Sequence, residues 1–316
     1  MVAIGLSAGA VARIRFAVSC LWEVVAAIRV LRDPGSHAVH LPWVRRVAVP
    51  RDTLLWELVP REPAYLPDFL TPPPVGLTPE LGAELARLRA TPAAVVRQHL
   101  DLYGHRPPAV RELYADPATG LARLSTEIEA FWHTAVAPDW PRIQLLLDAE
   151  IFARARALAE DGAAGLLNDL HERVRWEAGT LSISKRYCTA EDVSDGAGLV
   201  LVPSVFVWPA VLSIFADDVP QLAYPARGVA TLWEPRREST DALGAVLGRG
   251  RTRLLVELDA PSSTTELARR TGMTAGGVSQ HLSALRAAGL VAAHRQGRSV
   301  LNVRTALAEA LLSSAR

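Results

Sequence analysis

Between Arg251 and Thr305 the residue types and their spacing fit one chemical task, hydrogen bonding to a nucleic-acid duplex. Turning each residue by about 100° puts Ser279, Gln280, Ser283 and Arg286 on one side of a helix, with Gly276. Ala275, Val278, Leu282 and Leu285 fall on the other side as an apolar face. Small hydroxyl and amide groups so spaced suit base edges in a major groove. Gln280 matches adenine, and Ser279 is permissive. Thr274 can donate to a phosphate. Arg286, Arg295 and Arg298 suit backbone contacts that fix position without reading sequence. Thr264, Thr265, Ala275 and Gly277 complete the candidate DNA-contacting set. Gly276 and Gly277 shorten the list of polar readers and soften the helix start.

Such a set needs a rigid frame, and local signals supply one. Ser263 stands three residues before Glu266, the spacing of a capping box in which each side chain meets the other's orphan amide. Thr271-Gly272-Met273-Thr274 follows. Gly272 can take the left-handed conformation that ends one helix, and Thr274 can cap the next. A tight Gly-containing turn between two helices defines a helix-turn-helix. Leu290 to Arg295 and Ser299 to Arg304 then read as two strands, with Gln296-Gly297-Arg298 as the turn. This hairpin is a wing. A single recognition helix reads few base pairs, so a symmetric homodimer on double-stranded DNA is expected.

The stretch resembles the ArsR-like winged-helix transcription regulators. The residues that carry the resemblance are Leu254-Leu255, Glu266-Leu267-Ala268, Val278-Ser279-Gln280-His281-Leu282, and Leu285-Arg286 with Ala288-Gly289-Leu290-Val291. The resemblance implies a DNA-binding regulator, by analogy a repressor. Many such regulators sense metals through a Cys-x-Cys or through terminal acidic and His ligands. Here no Cys follows Cys188, and the tail from Ala306 carries Glu309 but no His. His281 reads as a packed or base-proximal residue rather than a ligand, because a metal site needs three or four ligands.

Other chemistries find little support. His171-Glu172-Arg173-Val174-Arg175 opens like a zinc-protease helix, but Arg175 stands where the second His belongs. The pairs Asp217-Asp218 and Glu191-Asp192 are chain neighbours, which do not face each other as an acid/base pair must. No Gly-rich loop is followed by Lys-Ser/Thr, and no Gly-x-Ser-x-Gly occurs. The expectation is no catalytic residue, no metal and no cofactor, hence not an enzyme. Cys20 and Cys188 read as small buried hydrophobes in a reducing, cytoplasmic compartment.

At 316 residues the chain is too long for one winged helix, and 50% hydrophobic residues suffice for a larger core. The net charge of +1 hides an asymmetry. From Arg236 onward there are 12 Arg and 6 Asp or Glu, against 22 basic and 27 acidic residues before it. A basic C-terminal module on an acidic body is what a carried DNA-binding domain looks like. Arg249, Arg251 and Arg253 fit phosphate contacts as well as they fit a solvated face. Gly196 to Ala216 is uncharged, but Pro203 and Pro209 interrupt it, so two short buried strands explain it better than a membrane span. The N-terminus lacks a signal-peptide pattern.

The fold class expected is α+β, mainly α: a helical N-terminal body with a small β-sheet, then a C-terminal winged helix-turn-helix. The divisions are 1–178 mainly helical, 179–235 β-rich and packed with it, and 236–316 DNA-binding. Ala12 to Ala17 reads as a strand. Ser19 caps an amphipathic helix bearing Leu21, Val24, Val25, Ile28 and Leu31. Trp43 to Leu58 reads as a helix broken by Pro50. Proline-dense Tyr65 to Pro79 reads as a stiff connector. Helices follow over Pro79–Ala90, from Thr91 as cap with Pro92 as first helical residue, and over Leu121–Ala135. A long one runs from Pro141 to Arg173, with Gly162 and Gly165 weakening its middle. Leu181–Ser184, Leu199–Trp208, Gln221–Tyr224 and Val229–Trp233 read as strands.

Arg15-Phe16-Ala17-Val18-Ser19 with Leu21-Trp22-Glu23-Val24, Val202 to Pro209, Tyr224 to Gly228, and Thr231-Leu232-Trp233 resemble a long domain often fused to ArsR-like winged helices in high-GC actinobacteria. Lys185 as the only lysine agrees with a GC-rich source. This resemblance implies no activity. Six of the eight tryptophans, Trp22, Trp43, Trp56, Trp132, Trp208 and Trp233, read as core before they read as a ligand cleft. The expected role of the body is to sense an unknown small-molecule effector or to support the dimer. The alternative is an enzyme-like or protein-interaction body with an accessory winged helix.

Overall fold

The chain divides into two units, Met1–Trp233 and Glu234–Arg316. The structure is a computed structural model and describes residues 2–61, 65–104, 106–184, 198–214, 219–233, 239–258, 260–296 and 299–314. It is α+β and mainly helical. Among the described residues no helix is long and apolar enough to cross a membrane.

The first unit opens with β1 (Val2–Gly5), α1 (Ala8–Ala12), β2 (Arg15–Phe16) and α2 (Cys20–Arg32). Short helices α3 (Leu41–Val44) and α4 (Leu54–Leu58) follow, then α5 (Leu81–Arg89), α6 (Ala93–Tyr103), α7 (Pro108–Ala115), α8 (Pro117–Phe131) and α9 (Trp140–Asn168). The chain then turns to β3 (Val174–Glu177), β4 (Thr180–Ile183), β5 (Val200–Ser204), β6 (Leu212–Ile214), β7 (Gln221–Pro225) and α10 (Val229–Leu232).

Two sheets result. One is antiparallel in the order β1-β4-β3, and the other runs β2-β5-β7-β6. In the second, β2, β5 and β7 are parallel and β6 is antiparallel to β7. Val2 lies opposite Ile183 and Arg15 opposite Val200, so the first sixteen residues share sheets with the 179–235 segment.

Helix α2 departs from expectation. It is not amphipathic, because every residue from Cys20 to Leu31 is buried. It packs against α5, α8 and β5. A helix enclosed on all sides needs its first amides satisfied from within the protein. Ser19 Oγ accepts from Trp22 N at 3.1 Å. Glu84 on α5 accepts from Ser19 Oγ at 2.6 Å, Cys20 N at 3.0 Å and Leu21 N at 3.1 Å. One turn in, buried Glu23 accepts from Val205 N at 2.8 Å, Phe206 N at 3.2 Å and Ser204 Oγ at 3.0 Å. It thereby holds the end of β5. Burial pushes Glu23 up to about 7, against the pull of those donors. Burial also pushes the Cys20 thiol up, consistent with an inert core residue.

Other expectations are corrected. The supposed strand over 12–17 is the end of α1 followed by β2 alone. Trp43 to Leu58 forms two short helices with non-helical residues between them. In the connector, Asp68, Phe69, Leu70 and Thr71 are buried, and Thr71 O accepts from Gln221 Nε2 at 3.0 Å. Pro92, not Thr91, is the N-cap of α6, with no side-chain cap bond. Val229–Trp233 is helical, not a strand; Gly228 at φ 84° turns the chain into α10. Helix α9 ends at Asn168, and its helical geometry breaks at Gly162, where φ is 69°. Glu150 and Arg154, on its inner face, pair at 2.5 Å, and Glu150 also binds Arg227 at 2.9 Å.

The second unit comprises α11 (Ser239–Leu247), α12 (Arg249–Glu257), β8 (Ser262–Ser263), α13 (Thr264–Thr271), α14 (Ala275–Ala287), β9 (Val291–Gln296), β10 (Ser299–Arg304) and α15 (Ala306–Ser314). Its core joins Leu254, Leu255, Leu267, Val278, Leu282, Leu285 and Val291. The sheet order is β8-β10-β9.

Candidate nucleic-acid interface

The helix-turn-helix is built by its caps. Ser263 Oγ accepts from Glu266 N at 3.2 Å, which starts α13. The reciprocal half of the expected box is diverted: the Glu266 carboxylate takes Arg269 Nε at 3.1 Å and Nη2 at 2.5 Å. That pairing holds Glu266 below the usual carboxylate range. Gly272 ends α13 at φ 70°, a conformation that costs little only for glycine. Two residues later Thr274 Oγ1 accepts from Gly277 N at 3.2 Å and starts α14. Such a cap contributes about 1 kcal/mol.

Val278, Leu282 and Leu285 anchor α14 in the core, while Ser279, Gln280, Ser283 and Arg286 face solvent. Gly276 is exposed and Gly277 half-buried. Ala275 does not join the apolar face; it is exposed at the first helical position. Thr274 and Thr265 are exposed, and Thr264 is half-buried. The polar side of the recognition helix is therefore open along most of its length.

The wing is a three-stranded sheet. Gln296 pairs with Ser299, so Gln296 belongs to the strand rather than to the turn. β8 adds a third strand through Ser263 opposite Leu301 and Ser262 opposite Asn302. Arg295 lies in β9 opposite Val300. Its side chain, and Arg298, lie outside the described residues.

Electrostatics sharpen the charge asymmetry. Arg269 pairs with Glu266, Arg270 with Glu257 at 3.1 Å, and Arg304 with Glu309 at 2.8 Å. Arg249, Arg251 and Arg253 on α12 are exposed, and no described carboxylate pairs with them. Arg251 Nη1 instead donates to Leu247 O at 3.0 Å. His281 is half-buried; a Cβ at Gly250 would lie 2.8 Å from its Nε2, so the imidazole fills the space that glycine leaves. Among the described residues no group of three or more His, Cys, Asp or Glu is placed to hold a metal.

Sequence reasoning missed Asn302. It is fully buried in β10, accepts from Arg286 Nη2 at 2.7 Å and donates to Ser262 O at 3.1 Å. Its place in a strand between Leu301 and Val303 was the only available signal. Arg286, expected on phosphate, thus bonds within the protein.

Of the other motifs, His171 forms a turn after α9. Its Nε2 lies 3.0 Å from Pro209 O and its Nδ1 accepts from Arg173 N. Glu191-Asp192, Asp217-Asp218, Lys185 and Cys188 lie outside the described residues. Trp22 and Trp43 are fully buried, and Trp132 and Trp233 nearly so, as core residues. Trp56 is half-buried against the same core, and Trp208 is half-buried with its ring edge-on to His40.

Residues 252–293 match the family model for bacterial regulatory proteins of the arsR family. The match spans the end of the leading helix, the helix-turn-helix and the start of the wing. No curated protein matches the chain. Among solved structures, a predicted DNA-binding transcriptional regulator from E. coli is 28% identical over 24% of this chain and 85% of its own, with a TM-score of 0.21. The C-terminal unit therefore carries an ArsR-like helix-turn-helix.

Proposed function

We propose that this protein is a sequence-specific DNA-binding transcription regulator that acts as a homodimer and represses. The observation that carries the reading is the open polar side of α14, held by the Thr274 cap on one end and an apolar core beneath. Ser279, Gln280 and Ser283 read base edges there. Thr274, Arg295 and Arg298 hold the phosphate backbone, with Thr264, Thr265, Ala275 and Gly277 in close approach. Two such helices related by a two-fold would address half-sites about 34–36 Å apart. The protein works in the cytoplasm. The N-terminal unit senses a small molecule or supports the dimer, and has no catalytic role.

The test is selection of the full chain on a randomised duplex library, followed by salt titration. Gln280→Ala should change the selected sequence. Arg298→Ala should weaken all sequences alike and lower the salt slope by about 0.9. Equal, sequence-blind losses in both variants would overturn the division of roles. Absence of salt-dependent binding to any duplex would overturn the regulator reading itself.

A further inference from the structure

We infer that Arg286 is a positioning residue that locks the wing to the recognition helix through Asn302, rather than a phosphate contact. The inference rests on the DNA-binding reading above and assigns a role within that same surface.

The geometry is a chain of hydrogen bonds across five elements. Arg286 in the last turn of α14 donates through Nη2 to Asn302 Oδ1 at 2.7 Å. Asn302 on β10 is 0% exposed and donates through Nδ2 to Ser262 O at 3.1 Å. Ser262 on β8 is buried; its Oγ donates to Ala260 O at 2.9 Å and accepts from Arg270 Nη1 at 3.5 Å. Arg270 on α13 pairs with Glu257 on α12 at 3.1 Å. The wing strand, the edge strand and both helices of the helix-turn-helix are thus joined by one polar path.

Physical chemistry gives the path a purpose. Asn302 sits where the strand turns one face to the core, so its amide must be satisfied on both sides. Ser262 O takes one N–H of the amide, and among the described residues Arg286 is the donor to its oxygen. A charge-assisted bond to a buried acceptor is stronger than a neutral one. It also fixes distance between the end of α14 and the middle of β10. A wing that pivots against the recognition helix cannot meet backbone and groove together, so fixing that angle determines affinity without contacting DNA. The bond commits one of the five guanidinium N–H donors to Asn302 and aims the group at β10.

The experiment uses the full chain with Arg286→Met, which keeps the side chain's length and removes its donors. Binding to a selected duplex is measured across a salt series, and exchange of the Asn302 side-chain amide is followed by NMR without DNA. The expected result is about a tenfold loss of affinity at every salt concentration, a slope parallel to the wild type, and faster Asn302 amide exchange. Arg286→Lys, which restores a donor, should recover part of the affinity and of the exchange protection.

A fall of about 0.9 in the slope would identify Arg286 as a phosphate contact and overturn the inference. So would unchanged Asn302 exchange. A lowered melting temperature with affinity unchanged in fully folded protein would reduce the contact to stabilisation and also overturn it. If the wild type binds no duplex, the regulator reading fails. The amide exchange then still decides whether the bond to Asn302 exists.

Discussion

The two units treat charge in opposite ways. In the first, Glu23, Glu84, Glu150 and Arg154 are all at most 3% exposed, and their partners are backbone amides, serine hydroxyls or groups of opposite charge. In the second, the core holds apolar side chains with few polar groups among them, and Arg249, Arg251, Arg253, Arg269 and Arg286 are exposed. A buried carboxylate is costly unless several donors meet it, so its worth is architectural. A solvated arginine costs little to keep and is available to a polyanion. The contrast separates a unit whose charges hold it together from a unit whose charges face outward.

The largest expected effect breaks the first half of the contrast. Glu23→Ala strands Ser204 Oγ, Val205 N and Phe206 N and leaves a gap in a buried core. It should cost on the order of 4 kcal/mol, read by chemical denaturation of the full chain. A loss below about 1 kcal/mol would show that the first unit does not depend on this buried carboxyl group. For the second unit, Gln280→Ala should leave stability nearly unchanged while costing about 1–3 kcal/mol of discrimination at the base pairs it reads. Competition binding on variant duplexes checks this.

A smaller effect lies in pH. Glu23 is raised to about 7, so its stabilising contribution is full below the ordinary carboxylate value of 4.5 and is lost as pH rises through about 7. His40 is buried beside Trp233, whose indole Nε1 donates to its Nδ1 at 3.0 Å. Burial pushes His40 down to about 3 from an ordinary 6.5. Its contribution is present above that ordinary value and is lost as pH falls toward about 3. The two slopes oppose each other across the slightly acidic range. Glu23→Gln should therefore unmask a rise in stability between pH 5 and 7, at most about 1 kcal/mol per pH unit. His40→Asn, whose Oδ1 can still take the indole proton, should unmask a fall. Denaturation midpoints at successive pH values read both, and slopes of the same sign would refute the opposition. Smallest of all is Gly272→Ala, where φ is 70°: about 1 kcal/mol, measured by thermal melting.

How legible each unit was follows from the range of its interactions. The helix-turn-helix is written in neighbours: Ser263 bonds three residues on, Thr274 three residues on, and Gly272 acts alone. The two strands of the hairpin, β9 and β10, lie within a few residues of each other. Ala275 was misplaced because a helix's first residue lies beyond the core that its period projects onto. In the first unit, α2 was legible as a helix, through Ser19 and its apolar run. Its enclosure was not, because the covering groups come from Glu84 and from Ser204 to Phe206. Val229 to Trp233 has strand-forming residues, yet Gly228 and its packing turn it into a helix.

The sequence by itself determined the order of helices and strands around residues 263–304, the polar set on α14 and the basic excess of the C-terminal unit. Those depend on caps, periodicity and composition, all local along the chain. The tertiary structure alone decided that the first sixteen residues pair with strands nearly two hundred positions away, that α2 is enclosed, and that Arg286 is engaged by Asn302. Each of these is a long-range satisfaction of a buried polar group or strand edge. Such groups must find a partner, but nothing in their immediate neighbours says which.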